Sequence, residues 1–271
     1  MKKSNEWKET NTIDIKRIIT EEIAHFVARA DQADGIKRWR TPLVGFADVQ
    51  SPEIRNLKVA AGEKHLFPED IMEDARIVIA YFIPFEEKIV QENATGEMAS
   101  KSWAAAYEIT NAMFPKLNEH IIHLLEELGY NGQTAGEYAG FSVEELRSRW
   151  SYRHFAYAAG LGTFGINNMM ITEKGCAGRV NTIITNLDVK PDSAQKEERC
   201  LYKANGSCGL CFHVCPVGAL TSDGFKRELC YVQCAKNARI HQENYGSDYG
   251  SGAGSEVCGK CITGMPCGFY Q

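Results

Sequence analysis

Nine of the ten cysteines in this chain of 271 residues fall after residue 199, and eight of them lie between Cys208 and Cys267. No other feature constrains the fold as strongly. The segment is rich in Cys and Gly, shows weak periodicity, and has too few apolar side chains to stabilise itself by a core alone. No apolar stretch follows Met1-Lys2-Lys3-Ser4-Asn5-Glu6-Trp7, so no export signal is expected. A reducing cytosol does not sustain structural disulfides. The clustering therefore points to metal rather than to cross-links.

The spacing refines that expectation. Cys208-x2-Cys211-x3-Cys215-Pro216 matches most of a bacterial ferredoxin run, C-x2-C-x2-C-x3-C-P, with Asn205 standing where the first cysteine belongs. Cys200 lies upstream as a substitute. A second motif is Cys258-x2-Cys261, followed by Pro266-Cys267, and Cys230 and Cys234 lie between the two. Two four-iron, four-sulfur cubanes need eight thiolates, and these motifs supply them. The rival is structural zinc, because Cys208/Cys211 with Cys258/Cys261 has the outline of a zinc ribbon. Zinc leaves Cys200, Cys215, Cys230 and Cys267 without a role. His213, inside the first motif, reads as a solvated residue.

The first 190 residues carry one cysteine, Cys176, and alternate two periodicities. Ile15, Ile18, Ile19, Ile23, Phe26, Val27 and Ala30 predict one helix; Leu117, Ile121, Leu124, Leu125 and Leu128 predict another, stopped at Gly129. Trp103, Tyr107 and Phe114 at helical spacing read as core. Strands are expected at Leu43–Phe46, Ile77–Ile83, Met169–Thr172 and Thr182–Leu187, the second buried on both faces. Such alternation predicts an α/β or α+β layer structure. The polar run Lys190–Arg199 reads as a linker, which divides the chain into 1–190 and 191–271. Gly246–Ser255 reads as a flexible loop.

The formal net charge of −5 and a pI near 5.9 argue against nucleic acid as a partner. The nearest basic run, Lys37-Arg38-Trp39-Arg40, is short. The longest apolar run, Ile77–Phe85, is too short to span a membrane, so a cytoplasmic protein is expected.

Arg153-His154-Phe155-Ala156-Tyr157-Ala158-Ala159-Gly160-Leu161-Gly162-Thr163-Phe164-Gly165-Ile166-Asn167-Asn168, taken with the cysteine motifs, resembles the epoxyqueuosine reductase family, whose relatives include the reductive dehalogenases. The resemblance covers roughly residues 70 to 270. It implies a nitroreductase-like, cobalamin-binding α/β domain followed by a ferredoxin-like module. By position it assigns one cluster to Cys200, Cys208, Cys211 and Cys267, and the other to Cys215, Cys230, Cys258 and Cys261. Cys176 and Cys234 are left over. Gly160, Gly162, Gly165 and Asn167 would hold the corrinoid, although taken alone these glycines read as a tight turn. The implied activity is an iron–sulfur oxidoreductase. It would draw electrons from a donor such as ferredoxin or flavodoxin and reduce a small substrate through cobalt. The alternative is an electron-transfer or activator protein with no chemistry of its own. Thr163 and Ile166 replace the family's Trp and Lys, and no Asp stands in Gln133-Thr134-Ala135-Gly136-Glu137-Tyr138, where the family has its proton donor. Glu137, Tyr138 and His154 are the candidates for that role.

Overall fold

The fold is that of a computed structural model describing residues 2–33, 35–246 and 254–270, with side chains from Asp14 onward. Most of the expected flexible loop, residues 247–253, lies outside the described residues, as does Met1.

Helix α1 (Lys2–Gln32) carries the first apolar stripe, and Ile19, Ile23 and Val27 are buried. Strand β1 (Leu43–Asp48) leads to β2 (Ile77–Pro84), whose eight residues are all buried. Helix α2 (Lys101–Glu127) starts at Ser100, whose Oγ accepts the Trp103 N–H at 3.2 Å. It ends at Leu128, and Gly129 follows with φ +84°, the left-handed turn that the stop signal called for. Next come β3 (Gly132–Gln133) and a small hairpin pairing Phe141–Ser142 with Arg147–Ser148. Helix α3 (Tyr152–Ala158), β4 (Gly162–Phe164), β5 (Met170–Thr172) and β6 (Gly178–Thr185) follow. Helix α4 (Arg227–Tyr245) lies in the cysteine-rich segment.

The main sheet has the order β1-β2-β6-β3, with every neighbouring pair antiparallel. The chain is therefore α+β. Strand β2 is central, and its alternation divides the core. Ile77, Ile79, Tyr81 and Ile83 pack with Ile19, Ile23, Trp103, Leu117 and Ile121 of α1 and α2. Val78, Ala80 and Phe82 pack on the opposite face with Trp150 and with Phe155 and Ala156 of α3. Each Ile, Leu, Val or Phe among these side chains contributes about 1.5–3 kcal/mol by leaving water. This two-sided burial is why β2 reads as an unbroken apolar run. Among the described residues no helix is long and apolar enough to cross a membrane.

The polar run after residue 190 is tied down. Asp192 accepts from Lys16 Nζ at 2.6 Å and from the Phe46 N–H at 2.9 Å, and its own N–H donates to the Phe46 carbonyl at 2.7 Å. The cysteine-rich segment is fastened by polar groups. Lys260 is buried, and its amine donates to the carbonyls of Asn93 at 2.8 Å and Thr95 at 2.7 Å. On α4, Gln233, Asn237 and His241 are buried at four-residue spacing. They bond the Glu97 carbonyl, the Ala99 N–H and the Ala99 carbonyl respectively.

Candidate functional site

All ten cysteines are free thiols. Cys200, Cys208, Cys211 and Cys267 line one cavity of about 30 Å³ together with Gly165 and Asn167. Burial, then the neighbouring Cys267, Cys200 and Cys208, pushes the Cys211 thiol up to about 11. Cys261 is pushed up further, by burial and then by Cys258, Cys230 and Cys215. The two thiols left over by the sequence each bond another cysteine: Cys234 with Cys230, and Cys176 with Cys267. The bond from Cys234, with Arg153 and Arg227 adding to it against burial, brings the Cys230 thiol down to about 7.

The glycine stretch forms a β-hairpin where the sequence suggested a simple turn, because β4 pairs with β5. Gly160 has φ +73°, and a Cβ there would strike the Ser193 carbonyl oxygen. A Cβ on Gly162 would strike the Ile171 carbonyl oxygen, and one on Gly165 would come within 2.5 Å of Asn167 Oδ1. The close approach these glycines permit is to the chain's own atoms. Asn167 is buried, and its Nδ2 donates to the Cys261 carbonyl at 2.9 Å, which joins the hairpin to the second cysteine motif.

Of the three proton-donor candidates, Glu137 and Tyr138 are exposed on a single 3₁₀ turn. His154 stands apart from them, half-buried in α3. Its Nδ1 shares a 2.7 Å hydrogen bond with Ser151 Oγ, and its ring lies 4.7 Å from that of Phe164. Burial, then Arg153 and His65, push it down to about 4, so it is neutral at pH 7. The Ser151 N–H donates to His65 Nε2 at 2.9 Å, and His65 Nδ1 faces the Leu66 carbonyl at 2.7 Å. His65 is therefore neutral with its proton on Nδ1.

Arg153, beside His154, has two electrostatic neighbours that sequence reasoning missed. Arg153 on α3 feels the charges of Arg179 on β6 and Arg227 at the start of α4, and burial followed by these two lowers its affinity for its own proton. Arg179 donates to Asn111 Oδ1 through Nη2 at 2.9 Å, and its guanidinium lies 4.3 Å from the Tyr107 ring centroid. Tyr107, expected in the core, is only half-buried and serves as this platform. Arg153 donates to the Asn168 carbonyl at 3.0 Å. The three arginines are 26 and 48 residues apart in sequence, so no linear motif announces them.

In comparisons with known proteins, the structure of a selenomethionine-labelled epoxyqueuosine reductase superposes with a TM-score of 0.55 at 17% identity, covering 93% of this chain and 68% of that one. An epoxyqueuosine reductase with an epoxyqueuosine-modified tRNA-Tyr stem loop gives 0.54 at 18% identity, covering 93% and 66%. The chain shares the epoxyqueuosine reductase fold. In sequence it is 26% identical over 191 residues to the epoxyqueuosine reductase of Lactococcus garvieae, covering 68% of this chain and 50% of that protein. The chain thus spans about half the length of that curated relative. No family model matches it.

The chemistry expected from the epoxyqueuosine reductase resemblance is corrected by the donor arrangement. Among the described residues, no group of three or more His, Cys, Asp or Glu side chains is placed to hold a metal ion. The thiols that hydrogen-bond one another do so in pairs, Cys176 with Cys267 and Cys230 with Cys234. This overturns the two [4Fe-4S] clusters expected on Cys200, Cys208, Cys211 and Cys267 and on Cys215, Cys230, Cys258 and Cys261. The electron path to cobalamin falls with the clusters. So do the iron–sulfur, cobalamin-dependent reductase and the ferredoxin-like electron carrier.

Proposed function

We propose that this chain binds a small molecule where its α+β layer meets its cysteine-rich segment, with Tyr152, Arg153 and His154 on the layer side. On this reading residues 1–190 and 191–271 are the two walls. The observation that carries it is the position of Arg153, whose electrostatic neighbours are Arg179 on one wall and Arg227, Cys230 and Cys261 on the other. Ligand sites favour such junctions. Neutral His154 supplies a directional hydrogen-bonding group there, and the half-buried Tyr152 hydroxyl supplies a second. Ten free thiols support a cytoplasmic setting. A solved relative holds a tRNA stem loop, so RNA is the rival occupant. A net charge of −5 favours the small molecule.

The test is a thermal-shift screen of the full chain against small metabolites and a tRNA anticodon stem loop. Small molecules that raise the melting temperature are expected to lose most of that effect in Arg153→Gln. Hydrogen exchange on wild-type protein should show protection in α3 and the start of α4. Protection confined to other elements would contradict the proposal, as would binding of the stem loop alone.

A further inference from the structure

We infer that a concavity beside α1 is a second ligand site, which takes a small molecule with an apolar body and binds its carboxylate through Arg40 and Lys174. Its lining includes none of Tyr152, Arg153 and His154, and neither reading rests on the other. The concavity measures about 820 Å³, within the span of about 300–1,000 Å³ usual for ligand sites.

Backbone pairing and side-chain bonds bring the two cations to one place. Arg40 precedes β1, and its N–H donates to the Pro84 carbonyl at the end of β2 at 2.9 Å. Lys174 lies in the tight turn after β5, where Thr172 and Gly175 exchange backbone hydrogen bonds at 3.1 Å. The side chains then clasp the two segments. Arg40 Nη1 donates to the Lys174 carbonyl at 3.3 Å, and Lys174 Nζ donates to the Thr41 carbonyl at 2.8 Å. The Arg40 guanidinium also lies over the Phe269 ring, 4.3 Å from its centroid. Burial, then the Arg40 charge, lowers the affinity of the Lys174 amine for its proton, against exposed Glu173.

The acids lining the same concavity already have partners. Asp31 accepts the backbone N–H groups of Arg38 at 2.8 Å and Trp39 at 3.3 Å, and Glu86 pairs with Lys37 at 2.7 Å. Among the described residues Arg40 and Lys174 make no ion pair, whereas Lys16, Lys37 and Arg55 do. Arg40 spends one of its five N–H groups and Lys174 one of its three, each on a neutral carbonyl. The rest are left for a ligand. Two cations beside Glu173 leave a local excess of one positive charge, which a carboxylate matches and a phosphate dianion exceeds. A carboxylate also fits the planar guanidinium fork. Ala24, Val27 and Ala28 of α1 line the concavity as well, and supply surface for the apolar body.

The experiment is calorimetric titration of the full chain with benzoate, phenylacetate and hexanoate, each beside its amide. Ala28→Trp is the steric variant: Ala28 is exposed on α1, so the added ring fills the concavity and leaves both cations in place. At least one acid is expected to bind, about tenfold more tightly than its amide, and to weaken about tenfold in Arg40→Gln and in Lys174→Gln. Ala28→Trp should abolish binding, with circular dichroism showing each variant folded. No binding of any acid would overturn the inference. So would an amide that binds as tightly as its acid, or acid binding unchanged in the folded variants. Acid binding lost in Arg153→Gln and kept in Ala28→Trp would place the carboxylate at the junction, overturning this inference and leaving the earlier reading standing.

Discussion

At the scale of single residues, His154 is the clearest case of environment setting chemistry. Its folded value of about 4 lies below the usual imidazole value near 6.5. The unfolded chain therefore takes up the proton first as pH falls. Stability owed to neutral His154 is complete above about pH 6.5 and is lost as pH falls toward 4. Burial shifts His65 in the same direction. Proton NMR of the folded chain is expected to show the His154 ring unprotonated at pH 5.5; a midpoint above pH 6 would show that the ring is solvated. His154 was legible in sequence as a candidate proton donor. Arg179, an electrostatic neighbour of Arg153, was not, since nothing in a strand that starts Gly178-Arg179-Val180 marks an arginine for a site. The glycines were legible as places of close approach, but sequence does not say to what. The Ile171 and Ser193 carbonyls answer that for Gly162 and Gly160.

At the scale of elements, legibility follows from what each element buries. α1, α2, β1 and β2 bury apolar side chains at regular spacing, and their periods stand out in the sequence. α4 is a helix of 19 residues that buries Gln233, Asn237 and His241, so a search for apolar period sees little there. Its stripe satisfies backbone groups at Glu97 and Ala99 that would otherwise be buried without partners. Asn237 also donates to the Val257 carbonyl at 2.7 Å. Asn237→Ala is therefore expected to destabilise the chain by about 1–3 kcal/mol. Denaturant unfolding would check this, and hydrogen exchange should rise first in α4 and at Ala99. An unchanged unfolding midpoint would show that the stripe is incidental to docking.

At the scale of the whole molecule, an antiparallel sheet carries helices α1 and α2 on one face and α3 on the other, and a thiol-rich segment closes one end through Lys260, Asn93 and Asn167. The cysteine spacing led toward metal because a linear motif reports which thiols are near in sequence. It does not report whether they are placed to hold a metal ion. Arg153, Arg179 and Arg227 lie on three separate elements, and no linear motif links them. Two concavities compete as ligand sites: one of about 820 Å³ beside α1, lined by Asp31, Arg40 and Lys174, and one of about 470 Å³ by Lys64, Phe141 and Arg147. The most direct test of the central claim is a crystal structure of the full chain with the small molecule that stabilises it most. Density is expected between α3, β6 and the start of α4, in contact with Arg153. Density in either of those two concavities, with nothing bound at Arg153, would contradict it.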